Sequence, residues 1–259
     1  MTAQNPKPEE HQPRDATHWA HPVERLEVFD VPEGALNLNV EGRRTVGPLQ
    51  GFGKMWQKTY TVRLEGSDAA PAGVVEAWKE NFPRFWPKEN RFYAPHSGIV
   101  PGGVALLGSG VPGSRWFSTG VMVLYSDETS FTYMTPEGHP FSGWITFSAY
   151  SDADGTTVAQ AQLLIRANDP IYELMMPLGL HRMEDRTWQH TLRSLAAYFG
   201  ARGEVHTRVV CVDPRRQWRN YGNVRYNAVI WSLFHAITAP LRYIKRSVTR
   251  GRLGGGWFG

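Results

Sequence analysis

Residues 129–166 read TSFTYMTPEGHPFSGWITFSAYSDADGTTVAQAQLLIR. Three runs rich in aromatic and β-branched residues, 129–135, 143–150 and 156–166, have the composition of strands. Their connectors are short: Pro136–Ser142, then Ser151–Gly155, in which Asp154-Gly155 is a turn signal. Strand side chains alternate between faces. One face therefore takes Phe131 and Tyr133, then Ile145, Phe147 and Ala149, then Ala159, Ala161, Leu163 and Ile165. The opposite face takes Thr146, Ser148, Gln160 and Gln162. This is an antiparallel meander with one apolar and one polar face.

The same reading extends outward. Residues 118–126 and the short run 104–107 predict two earlier strands, and MWQKTYTVRL at 55–64 predicts another. Between them, Val74, Val75, Trp78, Phe82 and Phe85 recur at helical spacing. Ser67 or Asp68 is placed to cap that helix, Pro71 lies in its first turn and Pro87 closes it. Downstream, residues 184–199 place Trp188, Leu192, Leu195 and Phe199 on one stripe, and Gly200 follows. Pro177 and Gly179 are expected to break the preceding helical piece, 172–176. A long amphipathic helix across the apolar face of a curved antiparallel sheet is an α+β solution.

Strand, helix, meander and long C-terminal helix in that order, with the segment Phe131–Pro140 and Gly143 before the last hairpin, resemble the START-like helix-grip fold of the SRPBCC superfamily. That superfamily includes polyketide-cyclase-like and lipid-transfer domains. The resemblance spans about residues 46–203 and is closest to an uncharacterised bacterial branch. It implies a cavity between sheet and helix that takes a small hydrophobic or lipid-like ligand. Residues placed to line it are Phe131, Tyr133, Phe147, Ala161, Leu163, Met176, Trp188 and Leu192, with Met175 nearby. Alanines 149, 159 and 161 on the covered face would leave it room. The alternative is that the same residues make a filled core.

Chemistry-bearing motifs are sparse. Tyr133 and His139, with Glu137 between them, are the acid–base candidates for a cyclase- or hydratase-type enzyme in the same cavity. The competing role for His139 is to fix a rigid turn. Gly108–Gly113 matches G-x-G-x-x-G, but Pro112 and the strand pattern after it argue against the helix that a dinucleotide site requires, leaving a loop at the cavity mouth. The histidine and acid groupings, His18 with His21 and His181, Glu184, Asp185 and His190, lack metal-ligand spacing, and the two acids suit a helix N-terminus. Cys211, the single cysteine, lies near His206 and Asp213 without a positioned base. No cofactor and no metal are expected.

The ends differ in character. The chain has 259 residues, ten of them Trp. Residues 1–35, with Pro6, Pro8, Pro13 and Pro22, are expected as a disordered arm, residues 36–203 as the helix-grip domain, and residues 204–259 as a basic amphipathic extension. Residues 1–213 hold all 24 acidic side chains against 19 basic ones, whereas residues 214–259 hold nine basic side chains and no acid. Ile230, Leu233, Phe234, Ile237, Leu241 and Ile244 form a helical stripe, with a kink expected at Pro240. Trp231, Arg242, Lys245 and Arg246 are the candidate contacts to an anionic membrane surface. Docking of the stripe on the core or on a second subunit is the competing reading. Arg215, Arg216, Trp218, Arg219, Tyr221, Arg225 and Tyr226 interleave basic and aromatic residues, but no RNA- or DNA-binding signature accompanies them, so nucleic acid is the weaker partner. Without an apolar leader or spanning segment, the chain is expected in the cytoplasm, with peripheral attachment at the inner membrane face as the variant of that placement. The sequence sets no oligomeric state.

Overall fold

A computed structural model describes residues 16–29, 32, 34–109 and 117–238. Among the described residues are nine strands: β1 (Thr45–Val46), β2 (Met55–Arg63), β3 (Asn90–Tyr93), β4 (Val104–Ser109), β5 (Phe117–Ser126), β6 (Ser130–Pro136), β7 (Phe141–Ser151), β8 (Thr157–Ala167) and β9 (Val205–Asp213). Eight of them form one antiparallel sheet in the order β3-β4-β5-β6-β7-β8-β2-β9, and β1 adds against β6. The meander predicted from residues 118–166 is therefore present, with each strand within two residues of its expected ends.

Register carries the predicted faces. Phe131 pairs with Phe147, Phe147 with Ala161, and Ala161 with Tyr60 across four adjacent strands. All of these lie in one buried apolar cluster with Ile145, Ala149, Ala159, Leu163 and Ile165. On the other face the Thr132 and Thr146 hydroxyls bond each other at 2.9 Å. A register shift in β5 between Val123 and Tyr125 adds local twist and bend.

Two helices cover the apolar face. In α1 (Pro71–Phe85), Val74, Val75, Trp78, Phe82 and Phe85 are buried, the stripe read from the sequence. Its N-cap is Ala70 rather than Ser67 or Asp68; the Ser67 hydroxyl accepts from the Ala69 N–H one step earlier. The helix α2 (Pro170–Met175), capped by the Asp169 carboxylate, leads through a π-type turn at Met176–Leu180 into α3 (His181–Tyr198). Leu192, Leu195 and Ala196 of α3 are buried against the sheet.

Two expectations about the ends change. Part of the arm expected to be disordered is packed. Trp19 bridges to Tyr125, and Leu26 and Val40 cover the outer face of β4 and β5 with Val104, Leu106 and Met122. Apolar outward side chains there needed a cover, and the N-terminal segment supplies it. The boundary drawn at residue 203 also falls inside the fold, because β9 pairs along most of β2, from Val62↔Val205 to Met55↔Asp213. Beyond β9 the chain wraps back over the sheet. Buried Arg166 donates to the Gly53 and Arg215 carbonyls and to the Asp213 carboxylate, at 2.5, 2.8 and 2.6 Å. Asn223 donates to the Gln50 and Asn168 carbonyls, each at 2.8 Å. The turn Pro136–Pro140 receives the wrapping segment. A Cβ at Gly138 (φ +87°) would lie 2.0 Å from the Tyr226 carbonyl, so only glycine allows this approach. Gly143 (φ +149°) lets the Leu164 carbonyl come equally close.

Candidate functional site

The core between sheet and helices is built mainly of rings. Helix α1 packs on β7 and β8 and sets Trp78 5.0 Å and Phe82 5.2 Å from Phe147, centroid to centroid. Phe131 stacks on Phe147 at 4.8 Å, and Phe82 meets Tyr133 edge-on at 5.5 Å. Trp188 of α3 is half-buried and touches Phe147 at 5.6 Å and the half-buried Trp86 at 5.5 Å. Of the expected lining, Phe131, Tyr133, Phe147, Ala161, Leu163 and Leu192 share this buried cluster, and Trp188 packs against it. Met176 does not. It belongs to a separate cluster with Ala167, Tyr172 and Leu180 behind α2, because the π-type turn directs it away from the main core. Met175 is exposed. Alanines 149, 159 and 161, expected to leave room, share one buried cluster with the α1 rings Trp78, Phe82 and Phe85.

Three donors in this apolar space have no hydrogen-bond partner among the described residues: the Tyr133 hydroxyl and the indole N–H groups of Trp78 and Trp86. A buried donor left unpaired costs free energy, so each asks for an acceptor. The Trp188 indole and the Glu184 carboxyl lie close to each other without forming a regular hydrogen bond.

Next to Trp188 sits a charged group that the sequence reading missed. Lys58 occupies the inward register of β2 and is buried. Its Nζ donates to Glu184 at 2.7 Å and to Asp185 at 2.8 Å, and the Tyr60 hydroxyl donates to Asp185 at 2.6 Å. The two acids expected to complement the N-terminus of α3 are instead spent on this pair. Burial lifts the Glu184 carboxyl to about 7, against the pull of Lys58. Burial, with Lys58 nearby, lowers the His181 imidazole to about 4; its ring meets Trp56 edge-on. The readable signal was a lysine in strand alternation with Trp56, Tyr60 and Val62.

Tyr133 and His139 are divided between two environments. Burial in the core raises the Tyr133 phenol, which opposes its ionisation. His139 is in the β6–β7 turn, where its Nδ1 accepts the Phe141 N–H at 3.1 Å, and burial lowers its imidazole to about 4. Glu137 turns to Arg44, whose N–H it accepts at 3.3 Å. The geometry of His139 is that of the rigid turn. The glycine motif begins at the end of β4, and its remainder, Gly110–Gly113, lies outside the described residues. It connects two strands paired as Ser109↔Phe117, not a strand to a helix as the dinucleotide fingerprint requires. Cys211 is exposed on β9. Among the described residues no three His, Cys, Asp or Glu side chains converge as a metal site. A polar cleft of 380 Å³ opens on the outer face between β1 and the wrapping segment, lined by Arg44, Gln50, Met134, Asn168, Asn223 and Tyr226 among others.

Basic and aromatic residues of the C-terminal segment serve partly as ties. Arg216 donates to Glu173 at 3.0 Å, and Arg215, with Arg166, holds the Asp213 carboxyl well below the usual carboxylate range. Trp218 is exposed yet meets Phe52 edge-on, and Arg225 lies over the Tyr226 ring. Trp231 is half exposed, with its indole N–H on the Arg225 carbonyl at 2.7 Å. Arg242, Lys245 and Arg246 lie outside the described residues.

No family model matches the chain, and no curated protein matches it in sequence. Solved structures do match. A START superfamily protein from Mycobacterium smegmatis is 20% identical over 57% of this chain and 98% of its own, with a TM-score of 0.39. The di-domain ARO/CYC StfQ of the steffimycin biosynthetic pathway is 14% identical over 57% of this chain, with a TM-score of 0.42; the match spans 51% of StfQ. Ara h 8.0201 is 15% identical over 56% of this chain and 97% of its own, with a TM-score of 0.40. The fold is α+β, an antiparallel sheet with helices across its apolar face, the helix-grip arrangement read from the sequence. In this frame the ring-rich core fills the space between the sheet and the helices α1 and α3.

Proposed function

We propose that the protein is a binding or carrier module for a small hydrophobic molecule, held between the sheet and α3. The observation that carries this reading is the set of three unpartnered donors, Tyr133, Trp78 and Trp86, inside a core otherwise made of rings and aliphatic side chains. Ligand sites are mostly apolar with a few placed polar groups. Donors without acceptors select a ligand with acceptor oxygens on an apolar frame, such as a carbonyl or ether on a ring system or acyl chain. In this reading a ligand enters past Trp86 and Trp188, both half-buried with their rings 5.5 Å apart.

The test is extraction of the purified protein and mass spectrometry of what it retained, followed by titration with a fluorescent apolar probe. A retained oxygen-bearing apolar molecule that competes with the probe supports the reading. So does weaker probe binding in Tyr133→Phe, which deletes one donor. Saturable probe binding indifferent to both Tyr133→Phe and Ala161→Phe would overturn it.

The cyclase- or hydratase-type enzyme is the second reading, and one observation favours keeping it. Glu184, with its carboxyl near 7 beside Lys58, is a buried group able to hold or release a proton at neutral pH. That reading expects turnover of a polyketide-like substrate, lost on Glu184→Gln.

A further inference from the structure

Residues 228–238 form a helix, α4, whose docked side is small and polar. Asn227 caps it, its Oδ1 accepting the Val229 and Ile230 N–H groups at 3.0 and 3.1 Å, and its amide donates to Asp169 at 2.8 Å. Ala228 and Ser232 are fully buried. Asn39 binds both, donating to the Ser232 hydroxyl at 3.0 Å and to the Ala228 carbonyl at 3.3 Å, and the Ser118 N–H donates to the Ser232 hydroxyl at 3.1 Å. The core-facing side of α4 is thereby occupied.

The apolar stripe faces outward. Ile230, Leu233, Phe234 and Ile237 are 44, 51, 58 and 66% exposed, and Trp231 beside them is 47% exposed. A stripe at i, i+3, i+4 and i+7 that the core does not cover asks for a partner. Charge says which partner. Residues 214–259 contain nine basic side chains and no acid, and five of the nine follow α4. A second copy meeting this face with its own would bring two such segments together and be repelled. A surface that is apolar within and negatively charged at its rim suits both features. Exposed Trp218 and Tyr221 in the turn of 3-10 helix before α4 add side chains that favour a membrane–water interface.

We infer that α4 is a reversible docking site for an anionic lipid surface and lies in the interface plane, the positive charge of the C-terminal sequence matching the rim of that surface. No described helix is long and apolar enough to cross a membrane, so attachment is peripheral in this account. The inference is independent of what the interior chamber takes.

The experiment is co-sedimentation of the full chain with vesicles of phosphatidylcholine plus phosphatidylglycerol, and with phosphatidylcholine alone. The full chain binds the anionic vesicles at low salt, binds the neutral ones at least about tenfold less, and is released by salt. Leu233→Glu/Ile237→Glu lowers the fraction bound to anionic vesicles by about tenfold or more with an unchanged melting temperature, because both side chains are exposed. Phe234→Ser, a milder change on the same stripe, gives a smaller loss of about threefold. The proposal is overturned if the full chain ignores anionic vesicles, or if the stripe variants bind them as well as the parent does. It is equally overturned if the same substitutions abolish a concentration-dependent dimer while vesicles are ignored, since the occupant is then a second copy.

Discussion

Helices α3 and α4 have the same kind of sequence and opposite orientations. Both carry large apolar residues at helical spacing, Trp188, Leu192 and Leu195 at i, i+4 and i+7 in α3 and Ile230, Leu233, Phe234 and Ile237 at i, i+3, i+4 and i+7 in α4. α3 turns Leu192 and Leu195 into the core and keeps Arg193 outside. α4 turns Ala228 and Ser232 inward and keeps Leu233, Phe234 and Ile237 outside. Periodicity therefore shows that a helix has an apolar face but not where that face points. The docking surface decides. Above α3 lies a wide apolar sheet face, whereas beneath α4 lie Asn39, Ser118 and Asp169, polar groups that need hydrogen-bond partners.

Substitutions can break this contrast. Leu192→Ala removes a fully buried side chain from the core and is expected to cost about 2–5 kcal/mol, measured by denaturant unfolding. A comparable loss at pH 8, about 3–5 kcal/mol, is expected for Lys58→Met, which leaves Glu184 and Asp185 without their buried cation. The loss should shrink at pH 5, where Glu184 can take up a proton. Equal losses at both pH values would mean that the pair does not carry the charge described.

Glu184 sharpens the pH argument on its own. Its folded-state carboxyl, near 7, lies above the ordinary carboxylate range, so its contribution to stability is complete at low pH and is lost as pH rises to about 7. The His181 and His139 imidazoles, lowered to about 4, act in the opposite sense, losing stability as pH falls from the ordinary imidazole range toward 4. Glu184→Gln isolates the first effect. It should gain on the parent between pH 5 and 8 by on the order of 1–3 kcal/mol, and a gap that does not widen with pH would refute the assignment.

Smaller effects belong to α4. Asn39→Ala leaves the buried Ser118 and Ala228 carbonyls without this donor and should cost about 1–3 kcal/mol. Leu233→Ala, at an exposed position, should change stability by no more than about 0.5 kcal/mol. A large loss for Leu233→Ala in purified protein would show that the stripe is already covered.

What could be read from the sequence follows the strength of each periodic signal. Strands β6, β7 and β8 alternate cleanly because one face is buried and the other polar, and their inward residues were placed correctly down to Ala159 and Ala161. β9 escaped because it is an edge strand exposed over most of its length, so VHTRVVCVD shows β-branched composition without alternation. β3 is four residues long, too short for any period. Seven of the eight expected lining residues came together because they share sheet faces and one helix stripe. Met176 did not, because the π-type turn before α3 has no sequence period. The Lys58–Glu184 pair joins residues 126 apart, which no local pattern encodes. The direction of α4 was left open for the same reason: Asn39, its anchor, lies 189 residues before Ala228.

The most direct test of the account is titration of an apolar fluorescent probe into three proteins: the parent chain, Ala161→Phe and Leu233→Glu/Ile237→Glu. Ala161 pairs with Tyr60 and Phe147 in the core, whereas residues 233 and 237 lie on the outer stripe. The account predicts saturable uptake by the parent, its loss in Ala161→Phe with little loss of stability, and unchanged uptake in the stripe variant. Uptake lost in the stripe variant and kept in Ala161→Phe would place the apolar site on α4 and contradict a ligand chamber beneath α3.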